Sequence, residues 1–226
     1  MSSGSQLLWV IYPYIIVIIF LLGLYYRYQT DQFGWTAKSS EILEKKKLRW
    51  GSLLFHIGIM LVLFGHIGGL LIPKSWLAAI GVSDHFYHIM AVGAGGFAGV
   101  LTLAGCLILL YRRISDPRIR KTSSFGDMLS IIMLTTIVVV GMGATIFNAA
   151  GHTDFDYRET ISPWIRGVLT FTPDGNLMKD VPIIFKIHVM LGFALFAVFP
   201  FTRLVHMLSM PIQYLKRTYV LYRKRS

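Results

Sequence analysis

The sequence predicts an all-α integral membrane protein with five transmembrane helices, its N-terminus outside and its C-terminus cytoplasmic. The first observation behind this is composition: of 226 residues, 54% are hydrophobic and 15% charged, against about 25% charged in a soluble domain. The second is distribution, because the apolar residues gather into five runs long enough to cross about 30 Å of hydrocarbon, which takes about 20 helical residues. The third is charge. Of the 22 Lys and Arg residues, 16 fall at 27–50, at 112–124 or in the tail from 216 onward. Alternate connectors carry few, so the positive-inside rule sets the orientation.

The first apolar run, 7–26, lacks a basic n-region and passes straight into a basic loop, so it reads as a retained span rather than a cleaved signal. The remaining spans fall at 51–72, 88–111, 125–148 and 182–210. Pro200 is expected to kink the last one or to mark where it leaves the bilayer. The segment 149–181, with Trp164 between Pro163 and Pro173, is expected to lie along the interface and cap the helices there. No repeat, low-complexity run or soluble domain is visible, so residues 1–226 read as a single domain. The net charge of +11 is explained by topology rather than by nucleic acid, and the expected surroundings are lipid. The single cysteine, Cys106, can form neither an intrachain disulfide nor a CxxCH haem attachment and reads as a buried thiol.

Ionisable residues inside spans are costly and usually functional. Four of the seven histidines lie there: His56 and His66 on the second span, His188 and His206 on the fifth. A lone buried histidine is often a satisfied core donor, but four on two spans form a pattern. The two spans run in opposite directions, so His56 faces His206 on the cytoplasmic side and His66 faces His188 on the outer side. As one straight helix, the 18 residues from His188 to His206 would rise about 27 Å, against about 15 Å from His56 to His66. A bulky group between the rings accommodates that mismatch. Haem iron takes two axial imidazoles, so the residues point to two bis-histidine haem b groups. Gly58, Gly65, Gly68, Gly69 and Gly192 would leave room for a flat macrocycle. Zinc or copper fits less well, because neither spacing is i,i+3 or i,i+4 and no cysteine or carboxylate joins. Arg203, Arg112 and Arg113 are candidates to pair with haem propionates. His85 and His88, flanking Tyr87 at the outer start of the third span, are candidates for a quinol site, with Asp84 and Lys74 as lesser ones. His152 reads as surface.

Further stretches carry a resemblance. "IYPYI" at 11–15, "LFHIGI" at 54–59, "FGHIGGLL" at 64–71, "FKIHVMLG" at 185–192 and "FPFTRLVHMLSMP" at 199–211 resemble the gamma subunit of membrane-bound respiratory nitrate reductase, in the form found in Gram-positive bacteria. The resemblance spans nearly the whole chain. It implies a multi-pass subunit of the bacterial cell membrane in which His66 and His188 hold an outer haem and His56 and His206 an inner one. It implies quinol oxidation near the outer face, with menaquinol the expected donor. Electrons would pass to an iron–sulfur beta subunit and then to a molybdenum alpha subunit that reduces nitrate to nitrite. Some members carry a lysine for quinol at the start of the third span, where this sequence has Tyr87. The haem core alone is also compatible with a diheme subunit of a sulfite-reductase-linked or heterodisulfide-reductase-like complex. A plain anchor would need no intramembrane histidines, and a transporter would be expected to show inverted repeats.

Overall fold

The structure, a computed structural model, describes residues 3–31, 34–35, 40–149 and 155–209. Five helices are long and apolar enough to cross a membrane: α1 (Gly4–Thr30), α2 (Lys46–Leu71), α3 (Asp84–Ser115), α4 (Phe125–Ala149) and α5 (Ile183–Phe201). All five expected spans are present, and no strand occurs among the described residues. Side by side the spans run α1, α5, α4, α3, α2, while α2 and α5 make no substantial backbone contact with each other. The tightest crossing is α2 on α3. A Cβ at Gly105 would lie 2.4 Å from the Phe55 amide nitrogen, and one at Gly58 would lie 2.5 Å from that of Thr102. Close backbone approach through small residues is how membrane helices gain packing energy without a hydrophobic driving force.

Two prolines shape the end of the bundle that carries residues 72–83 and 155–182. Pro13 has no N–H to give to the Trp9 carbonyl one turn back. The chain responds with a π-turn at Leu7–Ile11, in which the Tyr12 N–H bonds to the Leu7 carbonyl instead. The stranded Trp9 carbonyl accepts the indole N–H of Trp164 at 2.8 Å. Pro73 does the same to Gly69. A second π-turn, Ile67–Leu71, closes α2, and the Gly69 carbonyl accepts the Ser162 hydroxyl at 2.8 Å. The neighbouring Leu70 carbonyl accepts from Arg166 at 3.1 Å. Trp164, Ser162 and Arg166 all belong to the short helix Ile161–Leu169. That helix therefore caps the spans, as expected of the 149–181 segment, and buries Trp164 fully against Trp9, Met178 and Val181.

The opposite end is tied by ion pairs. Glu44 accepts the Lys47 and Leu48 amides that open α2, at 2.8 and 3.2 Å. Burial alone would raise its carboxyl, but those amides and Arg112 hold it below the ordinary range. Ser124 and Asp127 form a reciprocal cap on α4, with Ser124 N–H to Asp127 Oδ2 at 2.9 Å and Asp127 N–H to Ser124 Oγ at 3.2 Å.

The fifth span breaks at Pro200, where a kink or an exit was expected. Its α-helical part ends at Val198, and Pro200 sits in a 3-10 turn, Phe199–Phe201. Thr202 is extended (φ −123°, ψ 179°), and a second 3-10 turn, Arg203–Met207, carries His206. Arg27 of α1 donates to the carbonyls of Pro200 and Thr202 at 2.9 and 3.0 Å, satisfying groups the break sets free.

The proline account makes a double-mutant prediction. Trp164→Phe leaves the buried Trp9 carbonyl unsatisfied and should lower stability by about 1–3 kcal/mol. Pro13→Ala supplies a backbone donor to that same carbonyl, so the double variant should recover part of the loss. Thermal unfolding in detergent micelles measures both, and strict additivity would contradict the proposed link.

Candidate functional site

The four span histidines meet in two pairs. His66 and His188 place their ring centroids 6.0 Å apart, and His56 and His206 place theirs 6.2 Å apart. Three of the four are oriented by their own backbone. Nδ1 of His56 lies 2.7 Å from the Ser52 carbonyl, and Nδ1 of His66 lies 2.8 Å from the Val62 carbonyl. Nδ1 of His206 lies 2.5 Å from the Arg203 carbonyl. Donation from Nδ1–H to a carbonyl leaves the Nε2 lone pair as the only available ligand atom, the usual orientation of a metal-binding imidazole. His188 is held differently. Its ring rests on α4, where a Cβ at Gly141 would lie 2.7 Å from its Cε1.

Two imidazoles sharing a hydrogen bond would bring their centroids to about 5 Å. One metal between them, with bonds of about 2.0–2.1 Å, sets the centroids about 6.3 Å apart. The observed separations match the second arrangement. Among the described residues no group of three or more His, Cys, Asp or Glu gathers as a metal site. Each pair thus offers two imidazole donors with no carboxylate or thiolate beside them among those residues, a donor set that suits haem iron. There is room beside the rings: a Cβ on Gly65, Gly68 or Gly192 would meet no atom within 4 Å. The residues present fit the group.

The matched spacing of the pairs along the two spans has a simple origin. His188 to Val198 spans ten residues, as does His56 to His66, about 15 Å of helical rise in both cases. Beyond Val198 the chain leaves the helix. His206 therefore reaches His56 from a separate turn, not from one straight helix shared with His188.

Several expected roles shift. Gly58 and Gly69 serve packing rather than a macrocycle. Gly58 lies against Thr102, and a Cβ on Gly69 would lie 3.0 Å from the Tyr87 hydroxyl and 3.1 Å from that of Tyr157. Arg112 was expected at a propionate, yet its side chain is only 2% exposed and is engaged by the loop before α2. Nε donates to Glu44 at 2.8 Å, Nη1 to Ser40 Oγ at 2.9 Å, and Nη2 to the Ser40 and Glu44 carbonyls at 2.9 and 2.7 Å. Arg113 donates to Ser123 at 2.8 Å and stands 3.7 Å from Asp127. Arg203 is gripped through both Nε and Nη2 by Asp127, a carboxylate with 1% exposure. Sequence reasoning missed Asp127, although an acidic residue within an apolar run, three positions after Ser124, was a readable signal.

Tyr87 is also committed. Its hydroxyl meets that of Tyr157 at 2.8 Å, and the Arg158 guanidinium lies 4.2 Å over its ring. Burial, then Tyr87, push the Tyr157 hydroxyl well above its ordinary value. Lys74 joins Glu159, Asp84 and Asp156 at 2.7, 3.2 and 3.3 Å, and Glu159 and Asp84 raise its pKa. His88 is half-buried and His85 exposed. His152 lies outside the described residues.

Five apolar helices, with four histidines gathered in two pairs, define a polytopic membrane protein. The chain belongs to the nitrate reductase gamma subunit family, which it matches over residues 5–225. It is 53% identical to the nitrate reductase gamma chain of Bacillus subtilis, over 99% of this chain and all of that one. It is 39% identical to the respiratory nitrate reductase 1 gamma chain of Escherichia coli, over 95% of each. More distantly, it is 26% identical to the Hdr-like menaquinol oxidoreductase cytochrome b-like subunit of Archaeoglobus fulgidus, over 73% of this chain and 49% of that one. The protein is accordingly one chain of a nitrate reductase complex, built of membrane-spanning helices.

The ion-pair cluster gives a pH prediction. Burial would raise Asp156, but Arg158 and Lys74 outweigh it and hold its carboxyl below the ordinary range. A depressed carboxyl contributes stability above its unfolded value of about 3.9, and that stability is lost as pH falls through the folded value. Asp156→Asn should therefore melt a few degrees lower than the native protein at pH 6. The gap should close below about pH 4, and a gap constant with pH would contradict this reading.

Proposed function

We propose that this chain is the quinol-oxidising, electron-carrying membrane subunit of respiratory nitrate reductase, holding two b haems in series. The observation that carries the reading is the separation of the two imidazole pairs, 6.0 and 6.2 Å, each matching one metal atom between two Nε2 donors. His66 and His188 hold the outer haem and His56 and His206 the inner one. The N-terminus lies outside and the C-terminus in the cytoplasm, as the basic loops require.

Bis-histidine haem iron supplies one-electron transfer without releasing a ligand. The chain's own residues do the rest. Backbone carbonyls fix three imidazoles in the tautomer that presents Nε2. The turn after His66 is walled by the Tyr87–Tyr157 pair; the quinol site is assigned beside it, with half-buried His88 as the acceptor of a hydroxyl proton. Protons leave outward while electrons move inward, and each charge moved across the membrane stores about 2.3 kcal/mol per 100 mV. Menaquinol is the donor that the Archaeoglobus relative's name supports. An iron–sulfur beta subunit receives the electrons, and a molybdenum alpha subunit reduces nitrate to nitrite. The basic inner connectors are the surface on which the beta subunit docks; the tail from 210 lies outside the described residues.

A pyridine haemochrome assay on the purified complex should give two non-covalent b haems per gamma chain. His66→Ala or His188→Ala should remove one haem, and His56→Ala or His206→Ala the other. Equal loss of both from every variant would undo the pairing. His88→Ala should slow quinol oxidation at least tenfold with haem content intact, since positioned proton transfer is worth about 10²–10⁴; an unchanged rate would exclude it.

A further inference from the structure

Of the four pairing histidines, only His206 sits outside a long helix. Its segment follows the break at Thr202, a 3-10 turn of five residues that cannot hold its own register. Something else must place it. The Nδ1–H of His206 donates to the Arg203 carbonyl at 2.5 Å, so the ring follows Arg203. Arg203 in turn is held through its guanidinium by Asp127 on α4. Asp127 is itself rigid, because its Oδ2 accepts the Ser124 amide in the cap of α4. A Cβ on the adjacent Gly126 would lie 3.2 Å from the Phe201 carbonyl, so α4 meets the break directly.

We infer that Asp127 is a positioning residue for the inner haem ligand, acting through Arg203 to set the orientation of His206. This rests on the haem reading above. A buried carboxylate with a two-nitrogen grip on a guanidinium fixes direction as well as distance, and ligand orientation tunes the electronic structure of the iron. Arg27 holds the preceding Pro200 and Thr202 carbonyls, while Asp127 grips the guanidinium of Arg203 itself. Asp127→Asn retains an acceptor for the Ser124 amide while removing the charge that grips Arg203, which separates capping from positioning.

The test is low-temperature EPR and optical redox titration of the whole complex, with His206→Ala and His188→Ala assigning the two low-spin haem signals. In Asp127→Asn the signal abolished by His206→Ala should shift or broaden and its midpoint potential should move, while the signal abolished by His188→Ala stays in place. Asp127→Glu should restore part of the native signal. Both signals unchanged in Asp127→Asn, with two haems still bound, would overturn the inference and leave the haem reading intact. Equal disturbance of both signals would mean a merely structural role and also overturn it. If Asp127→Asn does not assemble, Arg203→Lys, which keeps the charge but not the two-nitrogen grip, must disturb the same signal alone. No haem in the native complex would overturn both readings.

Discussion

An imidazole that gives its Nδ1–H to a carbonyl of its own chain has only one atom left to offer, and that restriction organises this bundle. His56, His66 and His206 are committed in this way. Each must face a partner across a gap that no direct bond closes. The bundle opens that gap by keeping α2 and α5 apart while α3 and α4 bridge them from the side. Glycines on both walls keep side chains out of it, and the α4 backbone at Gly141 supports the His188 ring from behind. In hydrocarbon an unpaired backbone group costs several kcal/mol, so a ligand pair can be held open only where every surrounding carbonyl is already satisfied.

The spans and the pairs were legible in the sequence because both depend on local pattern: about 20 apolar residues per crossing, and histidines where hydrocarbon disfavours them. The level of His206 was not. Helix arithmetic put it too far along a straight axis, and the correction came from the end of the helix at Val198 and the extended Thr202. Pro200 announced a disturbance but not its size, since the outcome depends on Arg27 and Asp127 from other spans. Arginine partners were equally hidden. Arg112 and Arg203 look alike as basic residues near a span end. Only tertiary contact reveals that Glu44 and Asp127 already hold them.

The two ends of the bundle use different chemistry for the same purpose. Around Arg112 and Asp127, a buried charge meets a partly exposed partner, an arrangement that is costly to break because removing that partner strands the buried charge. Around Lys74, four charged side chains share exposure at 25–62% and are screened accordingly. The rigid end carries His206 on its irregular backbone, and the softer end lies beside the turn that follows His66.

The short helix Ile161–Leu169 bears on how the molecule comes into being. Its side chains complete the hydrogen bonding of Trp9 and Gly69, which Pro13 and Pro73 leave open. Synthesis proceeds from the N-terminus, so the first two crossings enter the bilayer before the groups that finish them have left the ribosome. Their ends stay wet until 155 residues later for Trp9 and 93 for Gly69. The turn that follows His66 is thus among the last parts to set, and the chain reaches the close of its fourth crossing with open carbonyls that water, not lipid, must keep solvated.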